Sequence, residues 1–120
     1  MKKIMMLVIA CMGVLFLAGC SDDPQDVAKK WAQALEKQDV ETANKYSTEK
    51  TQFFNMMIVD AVKKDQGNVR KNLDEMISKV SSSKVEINGD EAVITVNTND
   101  KDTKYKMKKV DGKWKVNVSK

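Results

Sequence analysis

The residue types that usually carry catalysis are scarce in this chain. Its 120 residues include two cysteines, Cys11 and Cys20, and no histidine. Without histidine, the commonest general base and the commonest metal ligand are both missing. A nucleophilic triad needs a base beside its nucleophile, and a structural zinc site needs paired Cys and His ligands. Neither can be assembled here, so no metal and no cofactor is expected. Carboxylate chemistry remains open in principle through Asp60 and Asp74 with Tyr46 and Tyr105. A pocket carboxylate facing a tyrosine would serve as acid or base if burial raised its pKa. The plainer reading of Asp60 is a helix-surface acid paired with Lys63 or Lys64 at i,i+3 or i,i+4 spacing. The stretch Asn97-Thr98-Asn99-Asp100-Lys101-Asp102 has calcium-like donors, but it lacks the loop glycine and the closing glutamate. It reads as a solvated hairpin connection. The chain is therefore read as non-enzymatic.

Chemistry of another kind is written at the N-terminus. Lys2 and Lys3 precede an uncharged run from Ile4 to Leu17, followed by Leu17-Ala18-Gly19-Cys20 and then by Ser21-Asp22-Asp23. The run is shorter than the roughly 20 residues a membrane-spanning helix needs. The three-part layout is that of a removable secretory signal over residues 1–19. Leu17-Ala18-Gly19-Cys20 resembles the lipobox of bacterial lipoproteins. The resemblance implies diacylglycerol attached to the Cys20 sulfur and cleavage before that residue. Two or three acyl chains anchor stably, at about 0.8 kcal/mol per buried methylene. The expected location is the bacterial cell envelope, with the outer membrane preferred over the inner one in a Gram-negative cell, because Ser21 rather than Asp follows the cysteine.

Residues 20–23 form a lipidated tether, which at about 3.5 Å per residue reaches on the order of 10–15 Å. Residues 24–120 form a single domain. Without residues 1–19 the chain keeps 19 basic and 17 acidic residues, a net +2 against +4 for the whole. Nucleic acid is not an expected partner for such a chain. One remaining cysteine allows no internal disulfide, even in an oxidising compartment.

Asp23-Pro24 marks the start of a first helix, with Val27, Trp31, Ala34 and Leu35 on one face. A short second helix is expected over Val40–Tyr46. Ser47 or Thr48 caps a third, with a stripe of Phe54, Met57, Ile58, Ala61 and Val62 widened by Phe53, Met56 and Val59. That count makes it the most buried helix, with Gly67 at its C′ position and Asn68 capping a fourth helix. The fourth helix presents Val69, Leu73, Met76, Ile77 and Val80, and Ser81-Ser82-Ser83 ends it.

After Ser83 the apolar period changes from about 3.6 to 2, from helix to strand. Val85 and Ile87 alternate, Asn88-Gly89-Asp90 turns, and Ala92–Val96 continues as a strand. Residues 97–102 connect it to a strand with Tyr105 and Met107 on one face. Asp111-Gly112 is a two-residue hairpin turn before Trp114, Val116 and Val118. The fold class is thus α+β: N-terminal helices packed on a curved four-stranded antiparallel sheet, preceded by the lipoprotein signal. Helices first, then Ile87-Asn88-Gly89-Asp90-Glu91-Ala92-Val93-Ile94-Thr95-Val96 and a terminal Asp111-Gly112-Lys113-Trp114-Lys115-Val116, resemble small bacterial lipoproteins. These carry a nuclear-transport-factor-2-like, cystatin-like cone of unknown function. The resemblance covers about residues 24–118 and implies a cavity between sheet and helices; it supplies no catalytic residues.

Two surfaces can bind. Trp31, Phe53, Phe54 and Met57 are candidates to line a pocket for an apolar ligand, with core packing as the plainer account. Lys104, Lys106, Lys108, Lys113 and Lys115 point away from the apolar strand positions. Residues 101–120 carry eight lysines against two aspartates. That face suits anionic headgroups, or it is simply a solvated outer face. The expected function is a membrane-anchored envelope lipoprotein that binds an apolar ligand or partner. The alternative is an interaction module, such as an envelope-assembly accessory or a toxin-immunity lipoprotein.

Overall fold

Pro24 lacks a backbone N–H and has its φ preset, which suits the first position of a helix. In the computed structural model it opens α1 (Pro24–Glu36), with the Asp23 carboxylate accepting from the Asp26 N–H at 2.8 Å. The structure describes residues 23–98 and 100–118. The expected signal segment 1–19, the expected lipidation site Cys20 and the expected tether up to Asp22 lie outside the described residues.

Three further helices follow, α2 (Val40–Lys45), α3 (Glu49–Lys63) and α4 (Val69–Lys79), and a 3₁₀ turn over Val80–Ser82. Four strands complete the domain: β1 (Lys84–Asn88), β2 (Glu91–Thr98), β3 (Lys101–Val110) and β4 (Lys113–Val116). They pair antiparallel in the order β1-β2-β3-β4. Helices packed on a four-stranded antiparallel sheet are the α+β architecture that the sequence pattern implies.

The core lies between the helices and one sheet face. α1 runs through its middle, burying Val27, Ala28, Trp31, Ala32 and Leu35. Ala28 and Ala32, with no side chain beyond Cβ, let neighbouring elements approach α1 closely. Ile94 and Val96 of β2, Met107 of β3 and Trp114 and Val116 of β4 face it from the sheet. At the start of α1, the Gln25 carboxamide N–H group donates to the Val80 and Ser83 carbonyls at 3.1 and 3.0 Å. That ties the helix to the far end of α4 and the entry to β1.

Three sequence expectations are corrected. The third helix is not the most buried. Its inward residues are Thr51, Asn55, Val59 and Val62, while Phe53, Met56 and Met57 are 69%, 59% and 44% exposed. Apolar count alone misplaced the face, because Thr51 and Asn55 have hydrogen-bonding partners inside. The C′ position of α3 belongs to Asp65 (φ +53), whose N–H donates to Val62 O while Gln66 N–H donates to Ala61 O. Gly67 lies two residues further on. The 97–102 hairpin connection is shorter than expected: β2 runs to Thr98 and β3 starts at Lys101 opposite it, with the exposed Asn97 amide donating to the Asp102 carboxylate across the strands at 3.2 Å. Ile87 shares the inward face, opposite Ala92, and is nevertheless 59% exposed because β1 is an edge strand.

α1 ends in the same manner as α3. Gln38 takes φ +63, its N–H donating to Leu35 O and that of Asp39 to Ala34 O. Asp39 then caps α2. Its carboxyl is held below the usual carboxylate range, first by the Thr42 hydroxyl and then by the Thr42 N–H, with Lys45 and Lys37 adding weaker attraction. A left-handed conformation costs a side-chain-bearing residue about 1 kcal/mol relative to glycine. Gln38→Gly is therefore expected to raise the unfolding free energy by about 0.5–1 kcal/mol in a urea titration, with an unchanged slope.

Candidate functional site

Four elements leave a gap where aromatic and branched side chains meet. Trp31 and Leu35 of α1, Phe54 and Ile58 of α3, Val69, Asn72 and Leu73 of α4, and Tyr105 of β3 line a hollow of about 170 Å³. Its wall is apolar apart from the Asn72 carboxamide and the Tyr105 phenol. Asn72 Oδ1 is buried and accepts no hydrogen bond. A buried acceptor left unpaired costs about 1–3 kcal/mol. Burial pushes the Tyr105 phenol pKa up from its usual 10.0.

The rear of the hollow is fixed by polar bonds. The Trp31 indole N–H donates to Asn55 Oδ1 at 2.8 Å, and the Asn55 amide donates to Asn44 Oδ1 at 3.0 Å and Ser47 Oγ at 2.9 Å. Ser47 Oγ donates onward to Ala43 O at 2.7 Å. Tyr105 meets the Trp31 ring edge-on, centroids 6.0 Å apart. Thr51, one turn before Asn55, accepts from the Val118 N–H at 3.0 Å and lies 2.9 Å from the Val118 carbonyl. The helices and the end of the sheet are thereby locked around Trp31.

The four pocket candidates separate into two pairs. Trp31 and Phe54 line this hollow. Phe53 and Met57 line a wider, open one of about 440 Å³ on the outer side of α3, with Val40, Met56, Val59, Asp60 and Lys63. Adjacent helix residues lie 100° apart, so Phe53 and Phe54 cannot share a wall. Asp60 is exposed and paired with Lys64 at 3.2 Å, the plainer of its two readings. It lines the outer hollow, whereas Tyr105 lines the inner one. Asp74 is exposed on α4.

The lysine candidates do share the outer sheet face, but acids stand among them. Glu86, Val93 and Lys106 form one cross-strand row; Asn88, Glu91, Lys108 and Lys115 form the next. Lys104 stands beside Thr95 and Lys113 beside Val110. Glu86 and Glu91 temper the charge that residues 101–120 suggest in isolation. Lys115 also donates to the Lys45 carbonyl at 2.5 Å, capping α2. Sequence reasoning missed Lys109, which pairs with Trp114 on the inward face and places its ammonium 5.2 Å from the ring centroid. The Asp111-Gly112 turn carried the signal, since it sets residue 109 opposite 114. Asn72 and Asn55 had none: each is a polar residue within an apolar helix pattern.

Removing the Asn55 carboxamide orphans the Trp31 N–H and the Asn44 and Ser47 oxygens together. Asn55→Ala is expected to lose about 3 kcal/mol in denaturant unfolding, several times the loss for an exposed alanine substitution on α3. Tyr105 generates a pH effect. Its folded pKa lies above the unfolded value near 10.0, so its contribution is complete below pH 10 and is lost as pH rises through the folded value. Ultraviolet titration of tyrosinate should show one late-titrating tyrosine, absent in Tyr105→Phe.

No protein-family model matches this chain, and no curated protein matches it. Among solved structures it is similar to a crystal structure from Campylobacter jejuni named "Putative NTF2-like transpeptidase". The two share 21% identity over 82% of this chain and 100% of that one, with a TM-score of 0.48. A likeness of that degree says nothing about activity.

Proposed function

We propose that this chain is a lipid-anchored envelope protein that works by binding rather than by catalysis, with the inner hollow as its site. The observation that carries the reading is the hollow itself, apolar but for the Tyr105 phenol and the Asn72 carboxamide, whose oxygen is buried without a hydrogen-bond partner. Such a wall favours a compact apolar group bearing one hydrogen-bond donor. A cavity of about 150 Å³ holds a benzene ring, and 170 Å³ is of that size. The ligand, or the part of it that enters, is thus a single ring or a short branched chain. Acyl chains on Cys20 would hold the domain at the membrane, as the lipobox-like Leu17-Ala18-Gly19-Cys20 suggests. The envelope, and the outer membrane in a two-membrane cell, follows from the same residues.

A second reading, an interaction module, is favoured by the exposure of Phe53, Met56 and Met57. Large apolar side chains clustered on one surface usually mark a contact site.

Indole and phenol, each a ring with one donor, are the probes for the hollow. Calorimetric titration should show saturable binding of at least one. Asn72→Leu should weaken it about tenfold, and Ile58→Trp, which fills the space, should remove it. Heat changes identical in parent and Ile58→Trp would reject the site. Anchoring is tested separately with Cys20→Ser, which should move the protein from the membrane fraction to the soluble one and abolish the acylated mass. Unchanged fractionation and mass would reject the anchor.

A further inference from the structure

Charge sets the inner hollow apart from the rest of the surface. Charged residues make up 32% of the chain, yet none of the eight described residues lining this space is a lysine, an arginine or a carboxylate. The lining residues do have charged neighbours in sequence, Lys30, Arg70, Lys71, Asp74, Lys104 and Lys106. Every one of these is exposed. Two other hollows differ. Asp60 and Lys63 line the one outside α3, and Glu49, Lys50, Lys108 and Lys115 line one of about 590 Å³ between the start of α3 and the sheet.

We infer that the inner hollow selects for the absence of charge, and that the ligand class it takes is a small primary amide on a ring or short branched chain. The inference rests on the hollow being the binding site. An ion entering it loses hydration and meets no opposite charge, which is the costly way to bury one. A carboxylate also meets the Asn72 oxygen, which is itself an acceptor without a donor. An ammonium gains some attraction from the Trp31, Phe54 and Tyr105 rings. Trp31 and Tyr105 already meet edge-on, however, and no carboxylate offsets the lost hydration.

An amide head answers the two polar groups that the wall does hold. The Asn72 carboxamide pairs with another amide whichever of its ends faces the space, because each has both N–H donors and a carbonyl acceptor. The Tyr105 hydroxyl donates to the ligand carbonyl. Burial pushes the Tyr105 pKa up, which keeps that proton in place. A space of about 170 Å³ holds one small molecule, so a single head lies against both groups while its apolar body fills the remainder.

Three ligands of nearly one shape test the class at pH 7: 3-methylbutanamide, 3-methylbutanoate and 3-methylbutylammonium. Each is titrated by NMR into the full chain in nonionic micelles. Ile58→Trp, which fills the space, is run beside the parent to subtract uptake by the micelle. The amide should bind saturably in the parent alone, at least about tenfold tighter than either ion. Tyr105→Phe should weaken the amide about tenfold more than it weakens benzene, which has no polar atom to lose a partner. Either ion binding within about threefold of the amide, and displaced by the Ile58→Trp change, would overturn the inference while leaving the hollow as the site. So would an amide that fails to bind where phenol binds, or equal losses for amide and benzene in Tyr105→Phe. Absence of binding by amide, indole and phenol alike would instead remove the hollow as a site, and the inference with it.

Discussion

The buried carboxamide of Asn55 sets the rotation of α3, and most of the surface chemistry follows from that angle. An amide side chain has two donors and one good acceptor oxygen, and here each donor and the oxygen is engaged, by groups from α1, α2 and the α2–α3 connection. A fully satisfied polar group in a low-dielectric interior is tolerated in one orientation only, since any other leaves several partners unpaired. Asn55 inward turns Phe54 and Ile58 toward α1 and α4, and Phe53, Met56 and Met57 toward solvent. An apolar residue at position 55 would remove that preference, for the remaining hydrophobic side chains are spread almost around the helix.

The same network closes one edge of the sheet. The Tyr46 carbonyl accepts from Val116, and the Thr48 N–H donates to the Val116 carbonyl, so the connection between α2 and α3 runs beside β4 as a short parallel bridge. Thr51 extends the closure to Val118. The opposite edge, β1, has no further strand beside it among the described residues and carries Lys84 and Glu86, charges of the kind that discourage further strand pairing. The inner hollow thus sits in a scaffold anchored on the β4 side, where Trp31 and Tyr105 are held. Its α4 wall, Val69 to Leu73, follows a loop of exposed residues.

Local chemistry was readable in the sequence; choices between faces were not. Asp23-Pro24 and Asp111-Gly112 act through conformational limits within a few residues, and both ends formed as expected. The change of period after Ser83 located the first strand for a similar reason. α3 failed the same treatment because eight of its fifteen residues are apolar, which leaves periodicity nothing to discriminate, and the deciding residues were the polar Thr51 and Asn55. Of the site, Trp31 and Phe54 were found as aromatics on inward faces. Asn72 was hidden because only a lack of partners distinguishes it, and that is a property of three-dimensional surroundings. The lysine face was legible as a face, but its charge was not, since Glu86 and Glu91 arrive from other strands.

Gln25 gives the domain a mechanical property. Its one carboxamide nitrogen lies within 3.4 Å of the Val80, Ser81 and Ser83 carbonyls, two residues into the chain from Asp23. A tug applied at Asp23 therefore reaches a clasp between α1 and the segment joining α4 to β1 before it reaches most of the hydrophobic interior. While the clasp holds, tension spreads into α4 and the first strand. Once it opens, the load falls on α1, which packs against the three other helices and against the sheet.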